Sequence, residues 1–411
     1  MDHVVFRTAG VVSHLNRAFG RGTVLRECGQ RFGFTSAIRS GAGLRPCAES
    51  LRPCEQTDRV ATLLERAVDA SPGELGWLSV RWAAREPIRL SPYDTHPMTR
   101  LGIITNVKAG RNRTRLERIR ALVGVTGGDN REVDDLESIR AATRALMDCE
   151  VELLAVNGGD GTVQAVLTEL MRGGETVPDI GIIPGGTTNM IANDLNESAP
   201  LEDALHSLAR QAARSLESRA RVQRPLIHAQ TRDLDAQYGL CLGAGGVVLQ
   251  SMQHFQDHVG SKGLRGELAA GISVMRGLLG VARGRGPWSD ASRVTVDLDG
   301  CEPWQQQIMI VATTLERLLL GLRPWWGEQT ASIHLTAMRH SPHALLRSAP
   351  AFVKGRRHPR LSAENGYRSA NVDAFSLQGS TGFALDGEVF PLLPDQTLLV
   401  RSTPPVAFLK L

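Results

Sequence analysis

Between residues 98 and 225 the chain alternates short apolar runs with longer stretches whose apolar residues recur at helical spacing. Leu101–Thr105 (LGIIT), Leu153–Val156 (LLAV) and the apolar part of PDIGIIP, 178–184, are too short for helices and are bounded by Asn, Gly or Pro. That is how strands buried on both faces read. Between them, Thr114–Val123, Leu136–Met147 and the stretch after Thr162, with Val163, Val166, Leu167 and Leu170 on one side, predict amphipathic helices. Strands and helices in alternation predict a doubly wound α/β domain whose ligands lie beyond the carboxyl ends of the strands. VTGGDN, 125–130, has no apolar run before it and reads as a loop; Pro200–Ser218 reads as one more polar-faced helix.

From Leu226 the period shortens. LIHAQ, QYGLCLGAGGVVLQ, RVTVDLDG, QQIMIVATT, SIHLTAMR, VDAFSLQG, TGFALDGEVF and TLLVRS follow one another as short runs. They predict a mostly β, sandwich-like second domain over 226–411, interrupted by a helix at His258–Leu279. The cleft between the two domains is the expected site. Residues 1–97 lack clean periodicity before Val60, although Arg59–Ala70 and Trp77–Ala84 could form short elements. This segment is expected to be a poorly structured extension, or a mis-assigned start with Met98 as the true first residue.

Composition narrows the class without naming it. In 411 residues with a net charge of +4, no apolar run approaches the roughly 20 residues of a membrane span, and no signal-peptide pattern opens the chain. Cys28, Cys47, Cys54, Cys149, Cys241 and Cys301 show no CxxC or metal-ligand spacing, so free thiols in a reducing cytoplasm are expected. No nucleic-acid motif is present. The Trp325-Trp326 pair reads either as an interfacial anchor or as core, and the basic run Lys354–Arg360 (KGRRHPR) either as a solvated loop or as a contact for anionic lipid.

The candidate chemistry begins where the strand Leu153–Val156 stops, at Asn157-Gly158-Gly159-Asp160-Gly161-Thr162. Glycines there allow close approach to backbone N–H groups, and the following helix aims its positive end at the same point, which suits phosphate. Asp160, taken as an exposed turn residue, makes sense beside phosphate if it holds Mg²⁺ or orients a nucleophile. A second strand opens into Pro184-Gly185-Gly186-Thr187-Thr188-Asn189 before a predicted helix, and a late stretch, Phe383–Phe390, sets Asp386 and Glu388 around Gly387. No GxSxG and no Cys/His pair at motif spacing offers an activated nucleophile.

At these three places the sequence resembles the diacylglycerol kinase catalytic family, which includes sphingosine kinases and bacterial YegS-type lipid kinases. The likeness runs from Leu101 onward. It implies ATP-dependent phosphorylation of the hydroxyl of diacylglycerol or a related lipid, with ATP and Mg²⁺ as cofactors. By the same resemblance Gly158, Gly159, Gly161 and Thr162 cradle the triphosphate, and Gly185, Gly186, Thr187 and Asn189 complete the nucleotide pocket. Asn106 and Lys108 lie in the loop after the first strand, which contributes to that pocket in the family; Lys108 and Arg111 either contact phosphate or are solvated loop charges. Asp160 holds Mg²⁺ or the acceptor hydroxyl, Glu388 is the general base, and Asp386 is its partner or a metal contact. The resemblance also implies a final strand, Gln396–Arg401, that returns to the first domain. The partner is a lipid at a membrane surface, met from the cytoplasm at the inner face, with a homodimer left open.

The sequence departs from the family after Ile308–Thr314 and at Cys241–Gly246, where a D-G turn and an asparagine are missing. The rival readings are an NAD kinase-like enzyme, which shares GGDGT but not the PGGTTN text, and a non-catalytic lipid- or nucleotide-binding regulator of the same fold.

Overall fold

The computed structural model describes residues 99–174, 176–196, 200–254, 293–393 and 395–411. The expectations for residues 1–97, for Met98 and for a helix at His258–Leu279 lie outside the described residues.

Four parallel strands form the first lobe: β1 (Leu101–Asn106), β2 (Asp129–Val133), β3 (Leu153–Gly158) and β4 (Asp179–Pro184). They lie in the order β2-β1-β3-β4, with β1 against both β2 and β3, and β3 against β4. The crossovers are α1 (Leu116–Thr126), α2 (Leu136–Asp148) and α3 (Asp160–Gly173); α4 (Met190–Leu195) and α5 (Leu201–Ala212) follow β4. Alternation along each strand divides the apolar residues between two faces. Ile104, Leu154, Val156, Ile180 and Ile182 join Leu146 of α2 and Val166 and Leu170 of α3 in one core. Leu101, Ile103, Leu153, Ala155 and Ile183 join Ile119 of α1 and Leu205 and Leu208 of α5 in another. The lobe is therefore doubly wound, and its two central strands, β1 and β3, read as continuous apolar runs because both faces are covered.

The reading of 125–130 as a loop is corrected. Thr126 closes α1, Gly127 caps it with φ 70°, and Asp129 begins β2. Its sequence, DNREV, is polar because β2 is the last strand on its side of the sheet, paired only with β1. An edge strand buries one end here, Val133, and leaves the rest to solvent. Such a strand carries no apolar period to detect.

The second lobe is mostly antiparallel: β5 (Arg221–Gln230), β6 (Gln237–Gly239), β7 (Cys241–Ala244), β8 (Val294–Asp297), β9 (Trp304–Thr313), β10 (Ile333–Arg339), β11 (Tyr367–Val372), β12 (Ala374–Gln378), β13 (Gly382–Leu385), β14 (Glu388–Pro391) and β15 (Thr397–Leu409). Among the described residues two helices accompany them, α6 (Gly246–His254) and α7 (Leu345–Val353). The run QYGLCLGAGGVVLQ is thus strand only as far as Ala244, and its last third is helix, turned by Gly245 at φ 88°. The last strand reaches Leu409 rather than stopping at Arg401. Pro404 and Pro405 hid its second half, and the pairing with β5 slips at that point, as proline within a sheet requires. β15 pairs with β12 and β5 and, at Phe408, with Ile180 of β4, so one continuous sheet runs through both lobes.

Candidate active site

Glycine turns end β3 and β4 side by side. Gly159 caps α3, whose first turn is Asp160-Gly161-Thr162, and Gly185–Thr188 lead from β4 to α4. The turns touch: a Cβ on Gly186 would collide with the Cα of Gly159. Only glycine at 186 allows this packing.

Asp160 binds the two turns together. Its carboxylate accepts hydrogen bonds from the Thr188 hydroxyl (3.0 Å) and from the backbone N–H groups of Met190 (3.1 Å) and Ile191 (3.0 Å). It is half-buried, not an exposed turn residue, and it caps α4 from another element. The residue in the cap position, Asn189, makes no cap of its own. Its side chain is buried and turned back on the loop, accepting from Gly186 N (2.7 Å) and donating to Gly186 O (2.9 Å). Thr187 lies against Gly110, and Arg111 N donates to Gly185 O (2.9 Å), so the loop after β1 rests on the same turn.

Asn106 ends β1 and donates from Nδ2 to the Thr162 hydroxyl (2.8 Å). That bond crosses the gap between β1 and β3. β1 leads away to β2 on one side and β3 to β4 on the other, so the gap is where the strand order reverses, the place at which doubly wound sheets hold ligands. Lys108 is turned elsewhere. Its ammonium pairs with Asp134 at 2.8 Å on the surface, a hydrogen bond that raises its pKa.

Two asparagines that the motif reading did not single out lie beneath the cradle. Asn112 and Asn157 are fully buried against Gly185. Asn112 Nδ2 donates to the carbonyls of Asn106 (2.8 Å) and Asn157 (3.1 Å), while among the described residues its Oδ1 and both amide atoms of Asn157 have no hydrogen-bond partner. The available signal was Asn157 itself, a polar residue closing an otherwise apolar strand; nothing in the sequence marks Asn112.

The third motif arrives from the second lobe. Asp386 and Gly387, with φ 48° and 96°, form the two-residue turn between β13 and β14, the positive-φ pair that tight hairpins need. The Asp386 carboxyl is buried and accepts from the N–H groups of Leu240 (2.9 Å) and Cys241 (2.8 Å). Burial pushes its pKa up to about 8; those two N–H groups pull it down, and the negative charge of Asp160 adds to the rise. Burial likewise raises the Cys241 thiol, with Asp386 and Asp160 adding to it. Aspartates from the two lobes thus act on one small region. Glu388, beyond the turn, is exposed, and a Cβ on Gly161 would collide with its Oε1. The Glu388 carboxyl therefore lies directly over the first turn of α3.

A cavity of about 730 Å³ opens beside this contact. Asn106, Gly161, Thr162 and Glu388 line its polar end, and Leu136, Ile139, Ala165 and Phe390 give it apolar wall. Its size is that of a small-molecule or cofactor pocket. No group of three or more His, Cys, Asp or Glu among the described residues stands together as a metal site. The donors that flank the glycine cradle, the carboxylates of Asp160 and Glu388, fit an Mg²⁺ ion that arrives on phosphate oxygens and needs one or two carboxylates from the protein.

Two kinds of likeness to known proteins agree with this geometry. A family model, that of the diacylglycerol kinase catalytic domain, matches residues 100–219. Two solved structures of a proposed diacylglycerol kinase from Bacillus anthracis str. Sterne superpose with a TM-score of 0.53 at 15% identity, covering 76% of this chain and 97% of theirs. At that identity the likeness is one of fold. No curated protein sequence matches the chain.

Proposed function

The chain carries the catalytic domain of the diacylglycerol kinase family at residues 100–219, and from that premise we propose an ATP-dependent kinase that phosphorylates the hydroxyl of diacylglycerol or a related lipid. The observation that carries this reading is the Glu388 carboxyl lying over Gly161, which sets a proton acceptor from one lobe against the phosphate cradle of the other.

In this reading the triphosphate rests against Gly158, Gly159, Gly161 and Thr162, at the positive end of α3. Asn106 holds Thr162 in place, and the apolar wall of Leu136, Ile139 and Ala165 receives the base. Gly185, Gly186, Thr187 and Asn189 shape the pocket by fixing the neighbouring turn. Asp160 keeps that turn attached to α4 and supplies the negative charge for Mg²⁺, which when bound would neutralise charge on the phosphates. Glu388 accepts the proton of the lipid hydroxyl as the hydroxyl oxygen attacks the γ-phosphorus and the bond to the bridging oxygen breaks to release ADP, while Asp386 locks the hairpin that carries Glu388. Catalysis is then a matter of positioning and electrostatics, as phosphoryl transfer requires. Among the described residues no helix is long and apolar enough to cross a membrane, and the enzyme would meet its lipid from the cytoplasm at the inner membrane face.

The test is ATP consumption with and without Mg²⁺ against a panel of diacylglycerol, sphingoid base, ceramide and NAD. Lipid-dependent, Mg²⁺-dependent turnover is the expected result. Turnover with NAD alone would move the chain to the NAD kinases, and no turnover on any acceptor would leave a binding protein.

A further inference from the structure

The cavity and motifs above account for one end of the molecule, but they leave unexplained a stretch of unusual charge. Between Glu328 and Glu364 the sequence holds no acidic residue, while Arg339, Arg347, Lys354, Arg356, Arg357 and Arg360 all fall inside it. In a chain whose net charge is only +4, this is a strong local bias. Arg357 pairs with Glu328. Arg347, Lys354, Arg356 and Arg360 are exposed and have no ion-pair partner among the described residues.

The same part of the molecule exposes hydrocarbon. α7 buries Leu345, Ser348 and Phe352 and turns Leu346 outward at 62% exposure. Beside it, the turn closed by Leu318 N donating to Leu322 O (2.8 Å) presents Leu320 at 48% exposure. The turn and the helix are joined: Arg323 N donates to Val353 O (3.1 Å), and Gly355 packs on the carbonyls of Arg323 and Trp325. The tryptophans, both half-buried, belong to this joint, Trp325 stacking on His334 at 4.8 Å and Trp326 meeting Phe352 edge-on at 5.9 Å. Upstream, the same segment reaches the catalytic lobe, since Arg317 N donates to Asp194 (3.0 Å) of α4, the helix that Asp160 caps.

We propose that α7, the loop 354–360 and the turn 318–322 form a surface that docks on an anionic lipid bilayer, with Leu320 and Leu346 entering the headgroup region and the cations meeting lipid phosphates. Unpaired cations and exposed leucines on two joined elements match a surface that offers negative charge above hydrocarbon. Nucleic acid is the poorer fit, because the nearby rings of Trp325 and Trp326 are half-buried and already engaged with His334 and Phe352. The proposal rests on charge and exposure and not on the phosphoryl-transfer reading, although its junction with α4 would bring the cleft to the membrane.

The experiment is co-sedimentation of the full chain with vesicles of phosphatidylcholine alone and of phosphatidylcholine mixed with phosphatidylglycerol. Binding to the mixed vesicles only, weakened by salt, is expected. Lys354→Gln with Arg356→Gln should weaken it by roughly thirty-fold, from about 1 kcal/mol for each cation removed. Leu346→Ser with Leu320→Ser should weaken it several-fold at any salt concentration; this pair also serves if thermal melting shows the charge variant misfolded. Equal binding by wild type and either folded variant would overturn the proposal, as would binding of single-stranded RNA without vesicle binding. Turnover of lipid dispersed in neutral detergent separates the two readings. Wild type and variants should match there, and a wild type that binds anionic vesicles but turns over nothing refutes the kinase and leaves the docking surface.

Discussion

Asp160 and Asp386 stand in opposite lobes, each in a glycine turn, and each gives its carboxylate to two backbone N–H groups. Their settings differ. Asp160 sits half-buried at the first turn of α3, where helix N-termini favour negative charge, and it holds the start of α4. Asp386 is buried at a strand-to-strand turn and bonded to the N–H groups of Leu240 and Cys241, and burial drives its carboxyl towards the neutral form. The same residue type beside a glycine thus keeps a half-buried carboxylate in one lobe and a buried, hairpin-locking carboxyl in the other. Glu388, the exposed member of the group, is the residue we propose as the base.

The largest effect expected is that of Glu388→Gln. Turnover should fall by roughly two or more orders of magnitude, the scale of a lost general base, with nucleotide affinity kept within a few-fold. Titration of ATP beside lipid-dependent turnover checks this; ATP binding weakened as much as turnover would move Glu388 to the metal.

Asp160→Asn should also cost about two orders in turnover, but with a second signature. An amide has one acceptor oxygen where the carboxylate serves three donors, so stability should drop by about 1–3 kcal/mol. A denaturant melt that matches wild type would show that the cap on α4 is dispensable.

Gly161→Ala comes next. Its methyl group must push Glu388 aside, yet alanine suits a helix better than glycine. Turnover should fall by about tenfold, within the range of a small misplacement, while the melting temperature holds or rises. Loss of stability together with turnover would instead point to a backbone requirement at 161.

The remaining effect is one of pH and bears on stability, not on turnover. The Asp386 carboxyl has a folded-state pKa of about 8, above its ordinary value of 3.8, so the folded protein holds a proton that the unfolded chain releases across that window. Its contribution favours folding at low pH and is lost as pH rises towards 8. Urea midpoints at pH 5 and pH 8.5 should differ less in Asp386→Asn than in wild type. An unchanged difference would mean that the group is ionised when folded.

Much of the site was legible in the sequence because glycine turns at strand ends are local events. Gly158–Thr162, Pro184–Asn189 and Asp386–Glu388 all fall where strands stop, and the text alone marks them. What those residues touch is not local. Asn189 reads as a pocket residue and turns back on Gly186; Lys108 reads as a phosphate contact or a solvated charge and pairs with Asp134. Asp160 reads as exposed because its donors, Thr188, Met190 and Ile191, belong to another crossover. Within the fold, the apolar strands announced themselves, whereas β2 did not, since an edge strand with one buried residue has no pattern to show.

The long strand β15 bears on how the protein is made. Phe408 pairs with Ile180, Gln211 donates to Lys410 O, and Leu411 N donates to Asn196, a residue 215 positions earlier. A ribosome delivers β1 to β4 long before residues 397–411 emerge, so the nascent first lobe must wait with one flank of β4 uncovered. Domains of a growing chain ordinarily fold in order of synthesis. Here the β4 side of the sheet cannot be closed that way, and the lobe that is made earlier is finished last.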